Sequence, residues 1–290
     1  MRVTETRMIE TASEQTSRQR SRVQEASDAL QTGVRVDRPS DGVTDWAEGM
    51  RAEVRHTLSE RRGNAVARAN ERLGETDRAL SGIGEGLSRV RELTVQAAND
   101  TYTAAQRAGV AEEVRALRAQ MLGLANTQGP DGEFLLAGSA GNVAPFGANG
   151  VYAGNGTRRQ IEASEANVGT FGVTGEALTT ATGVDVFTTL DNIIASLNGN
   201  DGDAIRANLA DLSTAVDQVA NTRTQLGSQS AALDAVDNAR REFEVELARM
   251  QERAIGIDPV DAATDFARAS AALESARAVA ERIVAIALGR

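Results

Sequence analysis

Apolar residues recur at alternating steps of four and three along most of this chain. This spacing keeps one face of a helix against a neighbouring helix, as in a coiled coil. The first row is weak in its middle, because the stretch from Ser13 to Arg22 contains no apolar residue. We therefore expect a terminal helix that is stable only when a partner helix packs against it. The row consists of Ile9, Ala12, Thr16, Gln19, Val23, Ala26 and Leu30.

The first row ends at the stretch GVRVDRPSDGVTDW, which begins at Gly33. Glycine suits the position after a helix C-terminus. Pro39 disfavours helical geometry at Arg38, and Ser40 and Asp41 are good helix N-caps. The sequence thus predicts that one helix stops here and that another starts a few residues later.

A second apolar row begins at Trp46, the only tryptophan, and predicts a long coiled-coil-like helix from Val43 to Asn99. After it, Thr103 and Gln106 form the capping-box pattern TAAQ, which starts another helix. Because the connection is short, these two helices are expected to be antiparallel. The second row continues through Met50, Val54, Leu58, Val66, Ala69, Leu73, Thr76, Leu80, Ile83, Leu87, Val90, Thr94 and Ala97.

The pattern changes between Gly129 and Gly183, where the segments EFLLAG, VYAG, RRQIEA and GTFGVTG are separated by glycine turns. These short runs predict strands, and so a small β-rich insert. Helical patterns return at DVFTTLDNIIASLNG and in a third long segment, which Asp258 and Pro259 interrupt. The last segment carries a row of Ala272, Ala276, Val279, Ile283 and Ile286.

These elements predict a mainly α fold. It is a long antiparallel coiled-coil-like helical rod with a small β-rich insert, and its terminal helices pair with each other. The predicted divisions are an N-terminal assembly helix over 1–37, a helical rod over 38–129 and 184–258, a β-rich outer insert over 130–183, and a C-terminal assembly helix over 259–290.

Composition narrows the classes of function. Only 3% of the residues are aromatic and much of the apolar fraction is alanine, which suits thin helical packing better than a thick core. The chain has no cysteine, which excludes disulfides and cysteine-ligated metals. A net charge of −10 argues against nucleic acid. We also expect no membrane span and no cleaved signal peptide, since no sufficiently long apolar stretch is present.

Four features imitate functional motifs, but simpler interpretations are preferred. The single histidine, His56, lies beside an apolar row, and no pocket-forming pattern surrounds it. The segment SGIGEG lies inside a continuing helical row and predicts close helix packing rather than a phosphate loop. NGNDGD lacks the spacing of a calcium loop and predicts a helix–helix turn. Asn155–Gly156–Thr157 fits a short and common glycosylation pattern. We therefore predict no catalytic residues, cofactor or metal.

Several motifs resemble the flagellin family, including its hook–filament junction forms. They are MRVTETRM and TGVRVDRPSDGV near the start, LANTQGPDGEFLLAGS and VYAGN in the centre, and DFARASAALESARAVAERIVAIAL near the end. The resemblance covers the whole chain. It departs from the junction forms at Asp41–Gly42–Val43, where the family continues Asp-Asp-Pro, and at the last four residues, where close relatives end in Ser-Leu and an aromatic residue.

The resemblance implies a non-enzymatic structural subunit of the bacterial flagellum at the hook–filament junction, secreted by the flagellar export apparatus without a cleaved signal peptide. The implied partners are hook-associated protein 1, flagellin, a flagellar export chaperone and further copies of this chain in a ring. The implied joint residues are Arg38, Pro39, Ser40, Asp41 and Trp46, although ordinary packing explains Trp46 equally well. The implied assembly interface contains Ile9, Val23, Leu30, Leu273, Val279, Ile283 and Ile286.

Two alternatives remain at this point. The chain could be flagellin itself, which forms the filament in thousands of copies. It could also be a cytoplasmic coiled-coil adaptor, a different class of protein, because long heptad rows serve adaptors as well.

Overall fold

Long helices account for most of the chain in a computed structural model that describes residues 2–164 and 167–287. About three quarters of the chain (74%) is helical, which confirms the predicted mainly α class. The elements are α1 (Arg2–Thr32), α2 (Val43–Ala97), α3 (Ala104–Ala125), β1 (Arg159–Ser164), β2 (Asn167–Phe171), a short 3₁₀ helix (Gly175–Leu178), α4 (Val186–Asn198), α5 (Gly202–Ile255) and α6 (Pro259–Ala287).

The described chain divides into two compact units. The first unit combines the start of the chain up to Leu58 with the segment from Glu242 onwards, and the second unit is Ser59–Arg241. Helices α2 and α5 therefore contribute to both units. The five divisions predicted from the sequence stay a prediction.

In the second unit, α2 and α5 run antiparallel and are joined by polar contacts. Arg223 Nε donates a hydrogen bond of 2.8 Å to Asp77, and Asn70 donates one of 2.7 Å to Asp234. The hydrogen bond to Asp77 raises the pKa of Arg223. As one contact residue moves forward along α2, the other moves backward along α5, which confirms the predicted antiparallel pair.

Helix α3 packs antiparallel against α2, and two glycines of α2 allow the close approach. A Cβ on Gly86 would lie 2.8 Å from the sulfur of Met121, and one on Gly82 would lie 2.7 Å from Leu124. Both glycines belong to SGIGEG, so the predicted close packing is confirmed. The capping box of Thr103 and Gln106 is also present and starts α3 as predicted.

The second unit has a continuous apolar core. Helices α2, α3, α4 and α5 contribute to it, together with Leu136, Phe146, Phe171, Val173 and Leu178 of the insert. Helix α4 begins with Asp185 as its N-cap, which accepts a hydrogen bond of 2.8 Å from the Thr188 amide. The predicted turn at NGNDGD is confirmed, because Asp201 accepts hydrogen bonds from the amides of Asp203 and Ala204 at the start of α5.

The insert contains fewer strands than predicted. Within RRQIEA and GTFGVTG the chain forms the antiparallel pair β1–β2, with Ile161 opposite Gly169. The prediction of strands at EFLLAG and VYAG was wrong, since these segments form only isolated bridges. The reason is that side chains take the place of a strand partner. Arg72 donates a hydrogen bond of 2.6 Å to the Phe134 carbonyl, and the Tyr152 hydroxyl donates one of 3.2 Å to the Leu136 carbonyl. The Val151 amide donates one of 3.1 Å to the Asn149 side chain.

Asn155, the residue of the glycosylation pattern, has a structural role of the same kind. Its side-chain oxygen accepts hydrogen bonds from the amides of Ser139 and Thr157, at 3.0 and 3.2 Å. Its side-chain nitrogen donates to the Ser139 hydroxyl at 2.9 Å. These bonds hold two loops of the insert together.

In the second unit, a buried arginine of α3 connects the C-terminal end of α2 to the turn between α4 and α5. Arg107 is only 5% exposed, and its guanidinium donates hydrogen bonds to the carbonyls of Ala97, Asn99 and Asn200. A further hydrogen bond of 2.8 Å reaches the Asn200 side chain. The positive charge thus stabilises the C-terminal end of α2 and the turn between α4 and α5.

The close contact at Gly86 predicts that replacing a glycine with leucine changes stability in opposite directions at two positions. Gly86→Leu should destabilise the second unit by about 1–3 kcal/mol, because Met121 is buried and overpacking has that cost. Gly109→Leu, at an exposed position of α3 where an added Cβ would meet open space, should raise stability by up to about 1 kcal/mol. Urea unfolding of both variants measures the two changes, and equal shifts would contradict the close packing.

The buried arginine gives a second prediction. Arg107→Met should destabilise the second unit by about 2–4 kcal/mol, because several buried carbonyls lose a charged hydrogen-bond donor. The control is Arg91→Met, which alters an exposed arginine of α2 and should change stability by less than about 0.5 kcal/mol. Thermal unfolding compares them. A mild effect of Arg107→Met would mean that water replaces the guanidinium without loss.

Candidate assembly surface

The break between α1 and α2 is bonded through its backbone to the break between α5 and α6. The amides of Arg35 and Val36 donate to the carbonyl of Ile255, at 2.6 and 3.3 Å, and the amide of Ile257 donates to the carbonyl of Gly33 at 3.0 Å. Gly33 has a φ of +71°, a conformation that glycine adopts readily after a helix C-terminus. Two segments far apart in sequence therefore form one connection inside the first unit.

A side chain reinforces this connection. The Arg35 guanidinium forms an ion pair with Asp45 at 2.8 Å and donates a hydrogen bond of 3.3 Å to the carbonyl of Ala254. Val36 beside it is only 2% exposed. Arg35 thus links the start of α2 to the end of α5.

The predicted joint residues form a local turn. Asp41 accepts a hydrogen bond from the Arg38 amide at 3.0 Å and another from the Ser40 hydroxyl at 3.1 Å. The side chain of Asp41 therefore closes the turn around Pro39 rather than capping α2, which begins at Val43. Trp46 is half-buried in the first turn of α2. Its role as an anchor of the joint stays a prediction.

Helices α1 and α6 pack against each other, as predicted for the terminal helices. The predicted seam of α1 faces α6, since the seam residues between Ala12 and Ala26 are half-buried. However, no side chain described in α1 is fully buried, and in the described part of α6 only Ala262 is. The side-chain oxygen of Gln19 lies buried without a hydrogen-bond partner. The terminal pair is thus an open contact without a core of its own.

A shallow apolar groove of about 510 Å³ lies between the two terminal helices. It is lined mainly by apolar atoms, with Met8 and Ala12 on α1 and Ala276, Val279 and Ile283 on α6. Met8 is 45% exposed and Val279 is 54% exposed, so the groove is open to solvent at its rim.

The residues predicted for the assembly interface fall into two groups. Val23, Leu273 and Ile283 are half-buried in the first unit. The other four are exposed at relative areas of 38% for Ile9, 40% for Leu30, 54% for Val279 and 76% for Ile286. Only the exposed group is freely available to another molecule, and its role in assembly stays a prediction.

The sequence analysis missed a second set of exposed apolar residues. Met50 and Val54 were expected to continue the packed row of α2, but they are 43% and 62% exposed. The helix contacts α5 through small residues instead. A Cβ on Gly49 would lie 2.6 Å from Ile255, and Ala52 is 4% exposed. Gly49 and Ala52 were the sequence signal that could have identified this contact face, because small residues allow close helix contact.

Exposed apolar residues are distributed unevenly between the two units. The described chain has sixteen large apolar side chains that are exposed, of which only Val95, Val143 and Val151 lie in the second unit. The remaining thirteen lie in the first unit. The second unit therefore buries its apolar residues within itself, whereas the first unit leaves many of them uncovered.

Other candidate chemistry has little support in the described residues. His56 is half-buried on α2. Within residues 2–164 and 167–287 no group of three or more histidine, cysteine, aspartate or glutamate side chains is placed to hold a metal. None of the helices in these ranges is apolar over a length that could cross a membrane.

The terminal pair gives a prediction for the monomer. Ile283→Asp should destabilise the α1–α6 contact by about 1–3 kcal/mol, because Ile283 lines the groove. Ile286→Asp should change monomer stability by less than about 0.5 kcal/mol, because Ile286 is already exposed to solvent. Hydrogen exchange of the α6 amides in each variant measures the difference. Faster exchange in Ile286→Asp, to the same degree as in Ile283→Asp, would place Ile286 in the intramolecular contact.

Known proteins share this sequence pattern and fold. Residues 4–141 match the bacterial flagellin N-terminal helical region. Flagellar hook-associated protein 3 of Escherichia coli (strain K12) is 26% identical over 235 residues, which is 72% of this chain and 74% of that protein. The protein of the same name from Salmonella typhimurium (strain LT2) is 26% identical over 233 residues, with the same coverage of both chains.

Solved structures give the same fold at low sequence identity. A proposed flagellar hook-associated protein from Vibrio parahaemolyticus has a TM-score of 0.69 and 21% identity, covering 74% of this chain and all of that one. Flagellar hook-associated protein 3 from Legionella pneumophila has a TM-score of 0.63 and 16% identity, covering 70% and 97%. The chain is thus similar to bacterial flagellin over residues 4–141 and to flagellar hook-associated protein 3 over 72% of its length.

Proposed function

We propose that this protein is a structural subunit of the bacterial flagellum at the hook–filament junction, where it connects the hook side to the flagellin filament. One observation carries the proposal. Thirteen of the sixteen exposed large apolar side chains in the described chain lie in the first unit, so that unit is suited to be covered by neighbouring molecules. The name of the curated relatives, flagellar hook-associated protein 3, supports a place next to the hook.

Assembly would supply the burial that the terminal pair lacks. Covering an exposed valine, isoleucine or methionine contributes about 1.5–3 kcal/mol. A neighbour could also provide the hydrogen bond that the buried oxygen of Gln19 lacks. The polar gap from Ser13 to Arg22 weakens α1 in isolation, so ordering of α1 and α6 is coupled to incorporation.

The proposed neighbours follow from the place in the flagellum. Hook-associated protein 1 lies on the hook side and flagellin on the filament side, and further copies of this chain complete a ring. A flagellar export chaperone covers the exposed apolar surface before secretion. In this arrangement residues 1–37 and 259–290 are the assembly helices, and the turn from Arg38 to Asp41 with Trp46 is the joint. The insert, residues 130–183, faces outward from the assembly and tolerates change.

The test compares an exposed residue in each unit. Ile286→Asp should leave the protein folded and secreted but prevent its incorporation, because a charge on a covered apolar surface costs several kcal/mol. Cells would then release flagellin into the medium instead of building filaments. The control is Val151→Asp in the insert, where Val151 is 59% exposed. Filaments should form normally with this control variant.

Filament formation by cells with Ile286→Asp would contradict the terminal helix as an assembly contact. Loss of filaments with Val151→Asp, at unchanged stability, would show instead that the insert makes an essential contact. Electron microscopy of the cells and detection of flagellin in the medium distinguish these outcomes.

A flagellin filament subunit is the second candidate, because the matched region over residues 4–141 is described for flagellin. Immunogold labelling of intact flagella separates the two. A short labelled zone next to the hook supports the junction subunit, and labelling along the whole filament supports flagellin. The adaptor alternative is disfavoured by the similarity to flagellar proteins, and finding the protein in sheared flagella would exclude it.

A further inference from the structure

A pocket of about 660 Å³ lies between helix α2 and the insert, within the second unit. Its walls come from residues 65–72 of α2, the loop that contains Asp131 and Ser139, strand β1, and Phe171 at the end of β2. The volume is in the usual range for sites of small organic molecules. The wall on α2 is about 10 Å long, which suits a molecule of two or three rings but only about three residues of an extended peptide.

Arginine dominates the charged residues of this pocket. The lining contains four arginines and two acidic residues. The whole chain, by contrast, has 31 basic and 41 acidic residues. The local charge balance is therefore the reverse of the balance in the chain, which favours an anion as the occupant. The arginines are Arg68, Arg72, Arg158 and Arg159, and the acidic residues are Glu71 and Asp131.

Two of the four arginines hold the walls of the pocket in place. Arg72 forms an ion pair of 3.2 Å with Asp131 and donates a hydrogen bond of 2.6 Å to the carbonyl of Phe134. Arg159 forms an ion pair with Glu133. Burial, and next the positive charge of Arg159, lower the pKa of Arg72. The acidic partners thus leave part of the positive charge in the pocket uncompensated.

The other two arginines have no such structural role. Arg68 on α2 and Arg158 just before β1 are both exposed. Neither forms an ion pair or a hydrogen bond with any residue that the structure describes. A guanidinium group binds a carboxylate through two parallel hydrogen bonds. Arg68 and Arg158 come from different elements of the pocket, so both donors are available to one anionic group that enters it.

The pocket also has an apolar part. Ala69 is 2% exposed and Phe171 is 7% exposed, and Ile161 beside them in the lining is half-buried. Inorganic ions make no use of such a surface, whereas the rings of an organic molecule gain free energy by covering it. The combination of free arginines with apolar side chains therefore matches a ligand that has both an anionic and an apolar part.

We propose that this pocket binds a small organic anion that carries a carboxylate on an apolar ring system. Arg68 and Arg158 hold the carboxylate, and Ala69, Ile161 and Phe171 contact the rings. Arg72 and Arg159 are positioning residues, because they fix the insert around the pocket. The binding is a separate property of the second unit and does not depend on the proposed function.

The test measures binding of naphthoate to the full chain by isothermal titration calorimetry. We expect the dissociation constant to rise about tenfold in Arg68→Gln and in Arg158→Gln, because each variant loses a charged hydrogen-bond donor. Naphthamide has the same rings without the charge, and we expect it to bind at least about tenfold more weakly than naphthoate.

The matched control is Arg78→Gln, which alters an exposed arginine of the same helix outside the pocket. Its affinity for naphthoate should equal that of the unchanged chain. All three substituted arginines are exposed and form no ion pair among the described residues, so thermal unfolding of the three variants should match that of the unchanged chain.

Five results would overturn the proposal. Equal binding of naphthoate to the unchanged chain and to both pocket variants would place the binding elsewhere, such as at the exposed apolar residues of the first unit. Equal binding of naphthamide would show that charge has no role, and equal binding of inorganic phosphate would show that the apolar residues have none. Tighter binding of a glutamate-rich peptide would assign the pocket to a protein partner. Absence of binding at millimolar naphthoate would show that the pocket is not a site. None of these results affects the proposed function.

Discussion

The backbone hydrogen bonds between residues 33–36 and 255–257 bring the C-terminal end of α1 close to the start of α6. They join the end of α1 to the end of α5, so α1 and α6 leave the same place in the first unit. Because the two helices leave this point side by side, their apolar rows meet along their length. This explains how a pair with so little burial is nevertheless formed in the structure.

The two units differ in how completely they bury their apolar side chains. They do not differ clearly in secondary structure, since both are built from long helices. In the second unit, glycines of α2 admit Met121 and Leu124, Arg107 satisfies three carbonyls, and an apolar core runs through four helices and the insert. In the first unit the helices touch through small residues such as Gly49 and Ala52, and larger side chains remain outside. The same helical architecture thus provides a self-contained unit and a unit suited to assembly.

The helices were largely predictable because their signals are local. Steps of three and four and the capping box at Thr103 depend on residues within one or two turns, and the structure confirms them. The segments EFLLAG and VYAG were not predictable in the same way. Their backbone partners include the side chain of Arg72, which is distant in sequence, and an apolar run alone does not distinguish that arrangement from a strand.

The candidate site was predicted only in part, for a related reason. Periodicity identifies an apolar face but does not tell whether that face is covered by the same chain or by another molecule. Ile283 and Ile286 belong to one row in the sequence, yet one lines the groove and the other is exposed. Met50 and Val54 were assigned to the packed face because they continue the apolar row that begins at Trp46, whereas the close helix contact uses the smaller residues Gly49 and Ala52.

The link between the two breaks also has a consequence for chain entropy. Arg35 and Ala254, which it brings together, are 219 residues apart in sequence. Closing a flexible loop of that length costs about 5 kcal/mol, by the logarithmic dependence on loop length. When the second unit has folded, most of that loop is already ordered, and the two breaks can meet at a much smaller entropic cost. The pairing of α1 with α6 is then equivalent to closing a short hairpin, so the two ends of the chain are expected to be the last segments to fold and the first to separate.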